Sequence, residues 1–207
     1  MNTTIKEDIT FEIEIKKSRF ICHLKRIDNE DMAREYINQI KKEHYKANHN
    51  CSAYTLGENQ EIQRSSDDGE PSGTAGIPML EILKKRGIIN TLAVVTRYFG
   101  GTKLGASGLI RAYSGSVNNA LDTVQLVRIV EQQEIILEFD YNLFDSLNRY
   151  LESLKIKLIN PDFSEKVMGQ VYIDTDQTDS FMLDLKNHFN DKIMQSMGNK
   201  SFVEVDI

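Results

Sequence analysis

Residues 64–113 read RSSDDGEPSGTAGIPMLEILKKRGIINTLAVVTRYFGGTKLGASGLIRAY, and this stretch concentrates the features that decide how the chain folds. Nine of the twelve glycines and two of the three prolines lie within residues 69–115. Glycine supplies backbone conformations that other residues adopt only with strain, and proline fixes a φ that suits turns. Carboxylates, cations and aromatic side chains are interspersed among these glycines. The stretch therefore has the composition of a recognition surface.

Regular structure is also predicted within this stretch. Thr91–Thr96 (TLAVVT) has no polar face, which indicates a strand covered on both sides at the centre of a sheet. One helix is predicted over Ile77–Lys85 and is ended by Gly87, and another follows FGGTKLGASG. Arg111 is predicted to face outward from that second helix. The positions predicted to face its core are Ile110, Tyr113, Val117 and Leu121.

Towards the N-terminus, the alternating pattern of Phe11–Ile15 predicts a half-buried strand, paired antiparallel with a strand over Arg19–Leu24. A helix is predicted between acidic residues near 28–31 and lysines near 41–46, an arrangement that complements the helix dipole. Further strands are predicted over Cys51–Leu56 and Ile62–Ser65. These elements form the first predicted domain, residues 1–128.

Towards the C-terminus, the apolar pattern restarts near residue 130 as two strand-helix-strand halves. The first half includes a helical stripe that ends at Leu154 and a strand over Ile156–Ile159, and the last strand closes at Ile207. This βαββαβ order predicts a ferredoxin-like domain over residues 129–207. The expected fold class is therefore α+β with two domains.

Composition limits the classes of function. The chain has 207 residues, 40% hydrophobic and 27% charged, and no apolar run approaches the roughly 18 residues of a membrane span. No export leader is visible, so we expect a cytoplasmic protein with no membrane partner. Two cysteines, Cys22 and Cys51, are expected to be buried thiols.

Charge differs between the two halves of the chain. Residues 1–128 carry 18 Lys and Arg against 16 Asp and Glu, a net +2, whereas residues 129–207 carry 7 against 15, a net −8. Polyanion binding is therefore expected in the first half.

The segment SSDDGEP places three carboxylates, Asp67, Asp68 and Glu70, within four residues. Oxygen ligands of this kind suit Mg²⁺ or Ca²⁺, and a metal-dependent phosphoester or nucleotide hydrolase is one alternative. The spacing lacks the pattern of a calcium loop. The simpler interpretation is that these acids accept hydrogen bonds from local backbone amides and pair with Arg64 or Arg97.

The segment FGGTKLGASG predicts a phosphate cradle, because glycines let backbone amides approach an anion at the start of a helix and Lys103 and Arg111 add positive charge. The alternative is that the glycines only turn a strand tightly into a helix. Cations mixed with aromatic residues are also typical of single-stranded RNA binding. The predicted binding residues are Arg64, Ser66, Asp67, Asp68, Glu70, Arg97, Tyr98, Gly100, Gly101, Lys103, Gly105 and Arg111.

We assign no catalytic residue, metal or cofactor from the sequence. Its serines lack a nucleophile-elbow context, and its histidines lack the spacing that would mark a general base. His49 and Cys51 supply only half of a structural zinc site.

The two segments RSSDDGEPSGTAGIPML and VVTRYFGGTKLGASGLIRAY resemble the signature of the YigZ/IMPACT family, and the similarity spans nearly the whole chain. The resemblance implies a first domain similar to the second domain of a ribosomal small-subunit protein, which also occurs in elongation factor G. It implies that the ferredoxin-like domain resembles the last domain of that factor. The residues that match the family motifs are Ser66, Asp67, Asp68, Gly69, Glu70, Pro71, Gly76, Arg97, Tyr98, Gly100, Gly101, Leu104, Gly105 and Arg111.

Eukaryotic members of the family regulate translation, and their kinase-pathway role depends on an additional N-terminal domain that this sequence does not show. The resemblance therefore implies a translation-associated regulatory protein that binds RNA or a ribosomal component through its first domain. A protein partner in translational control is the other alternative. The resemblance transfers no catalytic residue.

Overall fold

The computed structural model of the protein describes residues 3–207, which form two compact units. The first unit contains the chain up to Arg128 together with Val205–Ile207, and the second contains Ile129–Glu204. The sequence placed residues 205–207 in the second domain. Their place in the first unit has a physical cause, because Asp206 accepts a hydrogen bond of 2.8 Å from the Lys6 ammonium. No helix within residues 3–207 is long and apolar enough to cross a membrane.

The first unit is built on a five-stranded antiparallel sheet in the order β2-β3-β6-β4-β5. A short strand, β1, pairs instead with the first three residues of β7. The elements are β1 (Thr3–Ile5), β2 (Ile9–Ile15), β3 (Ser18–Arg26), α1 (Glu30–Glu43), β4 (His49–Leu56), β5 (Ile62–Ser66), α2 (Gly76–Lys85), β6 (Thr91–Tyr98), α3 (Gly105–Thr123) and β7 (Leu126–Phe139).

Strand β6 occupies the middle of this sheet, as its apolar sequence predicts. Leu92 and Val94 pack in the cluster beneath α1, while Ala93 and Val95 pack in the cluster beneath α2 and α3. Successive side chains of a strand point to opposite faces, so a strand covered by helices on both sides has no polar face. The same alternation carries Arg97 onto the face of the sheet that α2 and α3 cover.

The helices of the first unit begin and end at residues suited to those positions. The side chain of Asn29 accepts a hydrogen bond of 2.9 Å from the Met32 amide at the start of α1. In α3, Tyr113, Val117 and Leu121 are buried as predicted. The prediction that Ile110 faces the core is wrong. Ile110 is 41% exposed, because Leu109 occupies the buried side of the first turn and the next residue lies about 100° around the helix.

The second unit has the predicted βαββαβ order, and its four strands lie in the order β8-β9-β7-β10. Its core contains apolar residues from the strands and one side of each helix, including Ile135, Leu137, Leu147 and Leu185. The elements that follow β7 are α4 (Phe144–Ser153), β8 (Ile159–Phe163), β9 (Val167–Asp174), α5 (Thr178–His188) and β10 (Met194–Asp206). The predicted α+β class with two domains is confirmed.

Two predictions in this unit are wrong, and they share a cause. The strand predicted over Ile156–Ile159 begins only at Ile159, and Leu154 is 47% exposed. Helix α4 ends at Ser153, and Lys155 then adopts a left-handed φ of 59° while the Ile156 amide donates to the Leu151 carbonyl. The residues between 153 and 159 therefore close the helix instead of extending the sheet.

Candidate functional site

Two loops meet at one end of the central sheet of the first unit. We call residues 67–75, between β5 and α2, the acidic loop, and residues 99–104, between β6 and α3, the glycine loop. Together with the start of β4 they border a cavity of about 410 Å³. Its walls are formed by Asn48, His49, Glu70, Pro71, Arg97, Phe99, Lys103, Leu104, Gly105, Ala106 and Leu109.

Arg97 forms the inner wall of the cavity. Its side chain is only 7% exposed, and Nη1 donates a hydrogen bond of 2.6 Å to Oε1 of Glu70. The guanidinium carbon lies 5.5 Å from the ring centroids of both Phe20 and Phe99. Nε of Arg97 is buried and has no hydrogen-bond partner among the described residues. A buried donor without a partner costs about 1–3 kcal/mol, so this nitrogen is a position where an added acceptor would be stabilising.

Glu70 holds the arginine in place. Its side chain is 3% exposed, and Oε1 also accepts a hydrogen bond of 2.7 Å from the Tyr113 hydroxyl of α3. Burial raises the pKa of Tyr113, and Cys51 and Glu70 raise it further, so the hydroxyl keeps its proton and remains a donor. His49 adds a weaker neighbour, with Nε2 3.9 Å from Oε2 of Glu70. The charge of this carboxylate is therefore committed to protein partners.

The carboxylate of Asp67 is hydrogen-bonded to backbone amides at the start of α2. It accepts hydrogen bonds from the amides of Gly73 at 2.8 Å, Ala75 at 3.0 Å and Gly76 at 2.8 Å. Burial by itself raises the pKa of Asp67, but the three amides together outweigh it and lower the pKa below the ordinary aspartate value. Asp67 thus supplies the start of α2 with the side-chain acceptor that its N-cap residue, Ala75, lacks.

Asp68 faces a different direction from Asp67 and Glu70. Its carboxylate accepts hydrogen bonds from the Asn50 amide at 2.7 Å and from the Lys41 ammonium at 2.5 Å. A φ of 44° at Asp68 followed by 88° at Gly69 turns the loop, so the three acids point to three partner sets. Within residues 3–207 no three His, Cys, Asp or Glu side chains are grouped so that they could hold a metal ion.

Two of the predicted binding residues lie on the opposite face of the sheet. Arg64 on β5 is opposite Tyr54 of β4, and its Nε lies 3.2 Å from Oε1 of Glu30 in α1. The hydroxyl of Tyr98 lies 3.0 Å from Nδ1 of His44, just after α1. Both side chains have the strand parity of the α1 face, so neither borders the cavity.

Other predicted residues are distributed around the glycine loop. Lys103 and Gly105 line the cavity, and Gly105 begins α3 with a φ of 71°. Gly100 is required by packing, because a Cβ there would lie 1.9 Å from the Lys17 carbonyl oxygen. Ser66 lies at the end of β5, where its hydroxyl is 3.3 Å from the Asp68 amide. Gly101 has a left-handed φ of 87°. Arg111 is exposed on α3 and does not line the cavity.

The sequence reasoning did not assign His49, Phe99 or Tyr113 to the site. His49 precedes the apolar part of β4, and only the register places it directly opposite Arg97. Tyr113 was predicted as a core residue. A buried tyrosine hydroxyl requires a partner, and that requirement was the available signal for its contact with Glu70.

Comparison with known proteins identifies this chain's relatives. The Impact N-terminal domain model matches residues 16–121, and a domain of unknown function, DUF1949, matches residues 137–192. IMPACT family member YvyE of Bacillus subtilis is 48% identical over 191 residues, 91% of this chain and 88% of YvyE. IMPACT family member YigZ of Escherichia coli is 39% identical over 165 residues, 79% of this chain and 81% of YigZ.

A solved structure also matches almost the whole chain. The crystal structure of a protein described as hypothetical has a TM-score of 0.61 and 33% sequence identity, and the match covers 94% of this chain and 97% of that one. Both matched domain models therefore lie within a two-unit fold that has a crystallographic counterpart.

Proposed function

The chain belongs to the IMPACT family, and from this premise we propose that it is a cytoplasmic, translation-associated regulatory protein that binds RNA or a ribosomal component through its first unit. Family membership supports the regulatory part, because the family resemblance implies a role in translational control. Two buried free thiols, Cys22 and Cys51, support a reducing compartment.

The observation that carries the RNA proposal is the meeting of Arg97, Phe99 and Lys103 at one cavity beside the start of α3. Cationic side chains and free amides at the start of a helix bind phosphate oxygens. An exposed aromatic ring stacks on an unpaired base, and Phe99 is 45% exposed. Single-stranded RNA offers both groups, phosphate and accessible base.

The charge distribution supports assigning RNA to the first unit. Residues 1–128 carry a net +2, whereas residues 129–207 carry a net −8 and repel a polyanion. The geometry of the acidic loop does not favour the hydrolase alternative. Asp67 is committed to backbone amides, Asp68 to Lys41 and an amide, and Glu70 to Arg97 and Tyr113.

RNA binding is tested by titrating the full-length protein with a labelled single-stranded oligonucleotide at several salt concentrations. With two or three phosphate contacts, counterion release of about 0.7 per contact gives a log–log slope between about −1.4 and −2.1. Arg111→Gln and Lys103→Met are each expected to weaken binding and flatten the slope. Lys85→Met is the matched control, because Lys85 is exposed at the end of α2 and does not line the cavity.

Absence of affinity for RNA and for ribosomes at low salt would overturn the proposal in favour of a protein partner. Equal binding by the parent, Arg111→Gln and Lys103→Met would show that RNA contacts another part of the molecule.

A further inference from the structure

We infer that the cavity between the acidic loop and the glycine loop binds a single nucleotide, with its phosphate at the α3 end and its base or sugar against the apolar wall. The inference rests on the proposed function only for the origin of the nucleotide. Two sources share this chemistry, the phosphorylated end of an RNA strand and a free nucleoside monophosphate.

The size and lining of the cavity indicate a small organic ligand. Its volume of about 410 Å³ falls within the roughly 300–1,000 Å³ of ordinary small-molecule sites. Most of its wall is apolar. An inorganic phosphate ion would leave the surface of Leu104 and Leu109 without a partner.

The phosphate end is marked by the start of α3. This helix of 19 residues begins at Gly105, has no side-chain cap and has no acidic residue in its first turn. The first amides of a helix have no partner within the helix and carry a partial positive charge. Gly105 and Ala106 line the cavity, as does Lys103, which adds a full charge.

An independent observation at Arg97 also points to an absent partner. Nη1 is committed to Glu70, and Glu70 is held in turn by Tyr113, so the guanidinium cannot turn freely. Nε remains buried and without a hydrogen-bond partner within residues 3–207, on a side chain that borders the cavity. An oxyanion beside Arg97 would satisfy this donor with a charge-assisted hydrogen bond.

Among the wall residues that the structure describes, Glu70 is the one carboxylate, and it would repel a phosphate if it were free. Its oxygen Oε1 accepts from both Arg97 and Tyr113, so its charge is offset within the protein. The positive charge left for a ligand comes from Lys103 and the start of α3.

The base end is marked by Phe99. This ring is 45% exposed and has one face towards the Arg97 guanidinium, so a base stacked on it would extend an existing cation–π contact. Stacking on an aromatic side chain strengthens binding and tolerates any base, because every base has a flat aromatic face. The cavity is therefore expected to recognise the phosphate and a planar ring more strongly than base identity.

The test is calorimetric titration of the full-length protein with each of the four ribonucleoside 5′-monophosphates, with adenosine and with inorganic phosphate. We expect a monophosphate to bind at least tenfold more tightly than adenosine or inorganic phosphate. Lys103→Met should weaken monophosphate binding about tenfold and leave adenosine unchanged, and Phe99→Ala should weaken both about tenfold. Lys85→Met should bind like the parent.

A variant at the inner wall gives a further readout. Arg97→Lys keeps a cation beside Glu70 but removes the Nε donor, and it should weaken monophosphate binding about tenfold. If this variant does not fold, Lys103→Met and Phe99→Ala decide the question, because both side chains are exposed. The inference is overturned if no monophosphate binds at millimolar concentration, or if these two variants bind monophosphate like the parent.

RNA oligonucleotides with a 5′-phosphate, a 3′-phosphate or only hydroxyl ends identify the source. A preference for either phosphorylated end, lost in Phe99→Ala, assigns the cavity to an RNA terminus, and no such preference assigns it to the free nucleotide. RNA binding that depends on Arg111 while no monophosphate binds would refute the cavity inference and leave the proposed function intact. Monophosphate binding without RNA binding would refute the proposed RNA function and leave the cavity inference intact.

Discussion

Two buried polar clusters lie on opposite faces of the sheet of the first unit, and the protein stabilises them in different ways. On the α2 and α3 face, Arg97 is paired with Glu70 at 2.6 Å. On the α1 face, His23 and His44 lie with ring centroids 5.1 Å apart, and His23 Nε2 is buried without a partner in the described chain. The ion pair keeps its charges, whereas burial favours the neutral form of His23, whose Nδ1 lies 3.2 Å from the Thr10 hydroxyl.

The same comparison separates the predicted binding residues into two groups. Glu70, Arg97, Lys103 and Gly105 border the cavity, while Arg64 and Tyr98 contact α1 or the residues just after it. Strand parity makes this division, since neighbouring residues such as Arg97 and Tyr98 point to opposite sides of the sheet. Mutations on the two faces should therefore have separable effects.

The largest effect is expected from breaking the buried ion pair. Arg97→Met leaves the Glu70 carboxylate buried without its cation and should lower the free energy of unfolding by about 3–5 kcal/mol. The double variant Arg97→Met with Glu70→Gln removes the isolated charge and keeps an acceptor for Tyr113. Urea unfolding followed by circular dichroism should show that the double variant recovers more than half of the loss. A double variant as unstable as Arg97→Met would contradict the pairing argument.

Acid sensitivity on the α1 face should be somewhat smaller. Burial, with smaller contributions from the neighbouring His44 and Lys25, lowers the pKa of His23 from 6.5 to about 4. Because the folded-state pKa lies below the ordinary value, the stability that neutral His23 contributes is fully present above pH 6.5. It is lost as the pH falls from 6.5 towards 4. At about 1.4 kcal/mol for each pKa unit, the loss reaches about 3 kcal/mol.

His23→Gln provides the control for this acid effect. The variant has no group that titrates at this position, so its stability should change less between pH 6.5 and pH 4 than that of the parent. The measurement is urea unfolding of both proteins at a series of pH values. If their free energies of unfolding change in parallel with pH, the acid effect belongs to other groups.

Removing the Asp67 carboxylate should cost about 2 kcal/mol, the upper end for a helix cap, because three amides lose their acceptor. Asp67→Ala is expected to speed hydrogen exchange at the amides of Gly73, Ala75 and Gly76, while Asp67→Asn should lie between this variant and the parent. The pKa of Asp67 is lowered, so its contribution to stability is present above the ordinary aspartate pKa and is lost in acid. Unchanged exchange at these amides would exclude the capping role.

The smallest effect is expected at Arg64. Its ion pair with Glu30 involves an arginine side chain that is 59% exposed, and exposed pairs of this kind contribute less than about 1 kcal/mol. The free energy of unfolding of Arg64→Gln should lie within about 1 kcal/mol of that of the parent. The variant should bind nucleoside monophosphates like the parent protein. Loss of monophosphate binding would show that the two faces of the sheet are not independent.

The sequence by itself determined the elements whose side chains follow a clear period. The apolar run of β6 predicted a central strand, and the helix over residues 77–85 follows from its apolar spacing and the stop at Gly87. It also predicted a binding site in the segments around Glu70 and Arg97, whose side chains meet at one cavity. Errors occurred where the end of an element decides the outcome, as at Ile110, which lies one residue past the buried Leu109, and at residues 156–159, which close α4.

Only the tertiary structure decided which of these polar side chains meet. Asp67, Asp68 and Glu70 are almost adjacent in sequence but face three partner sets, because left-handed backbone at Asp68 and Gly69 turns the chain between them. Glu70 and Arg97 are 27 residues apart, and their contact depends on the order of the strands and on the helices that close over them. A sequence period reports the face on which a side chain lies within its own element. The neighbour across the sheet is set by strand order and register, which no single segment contains.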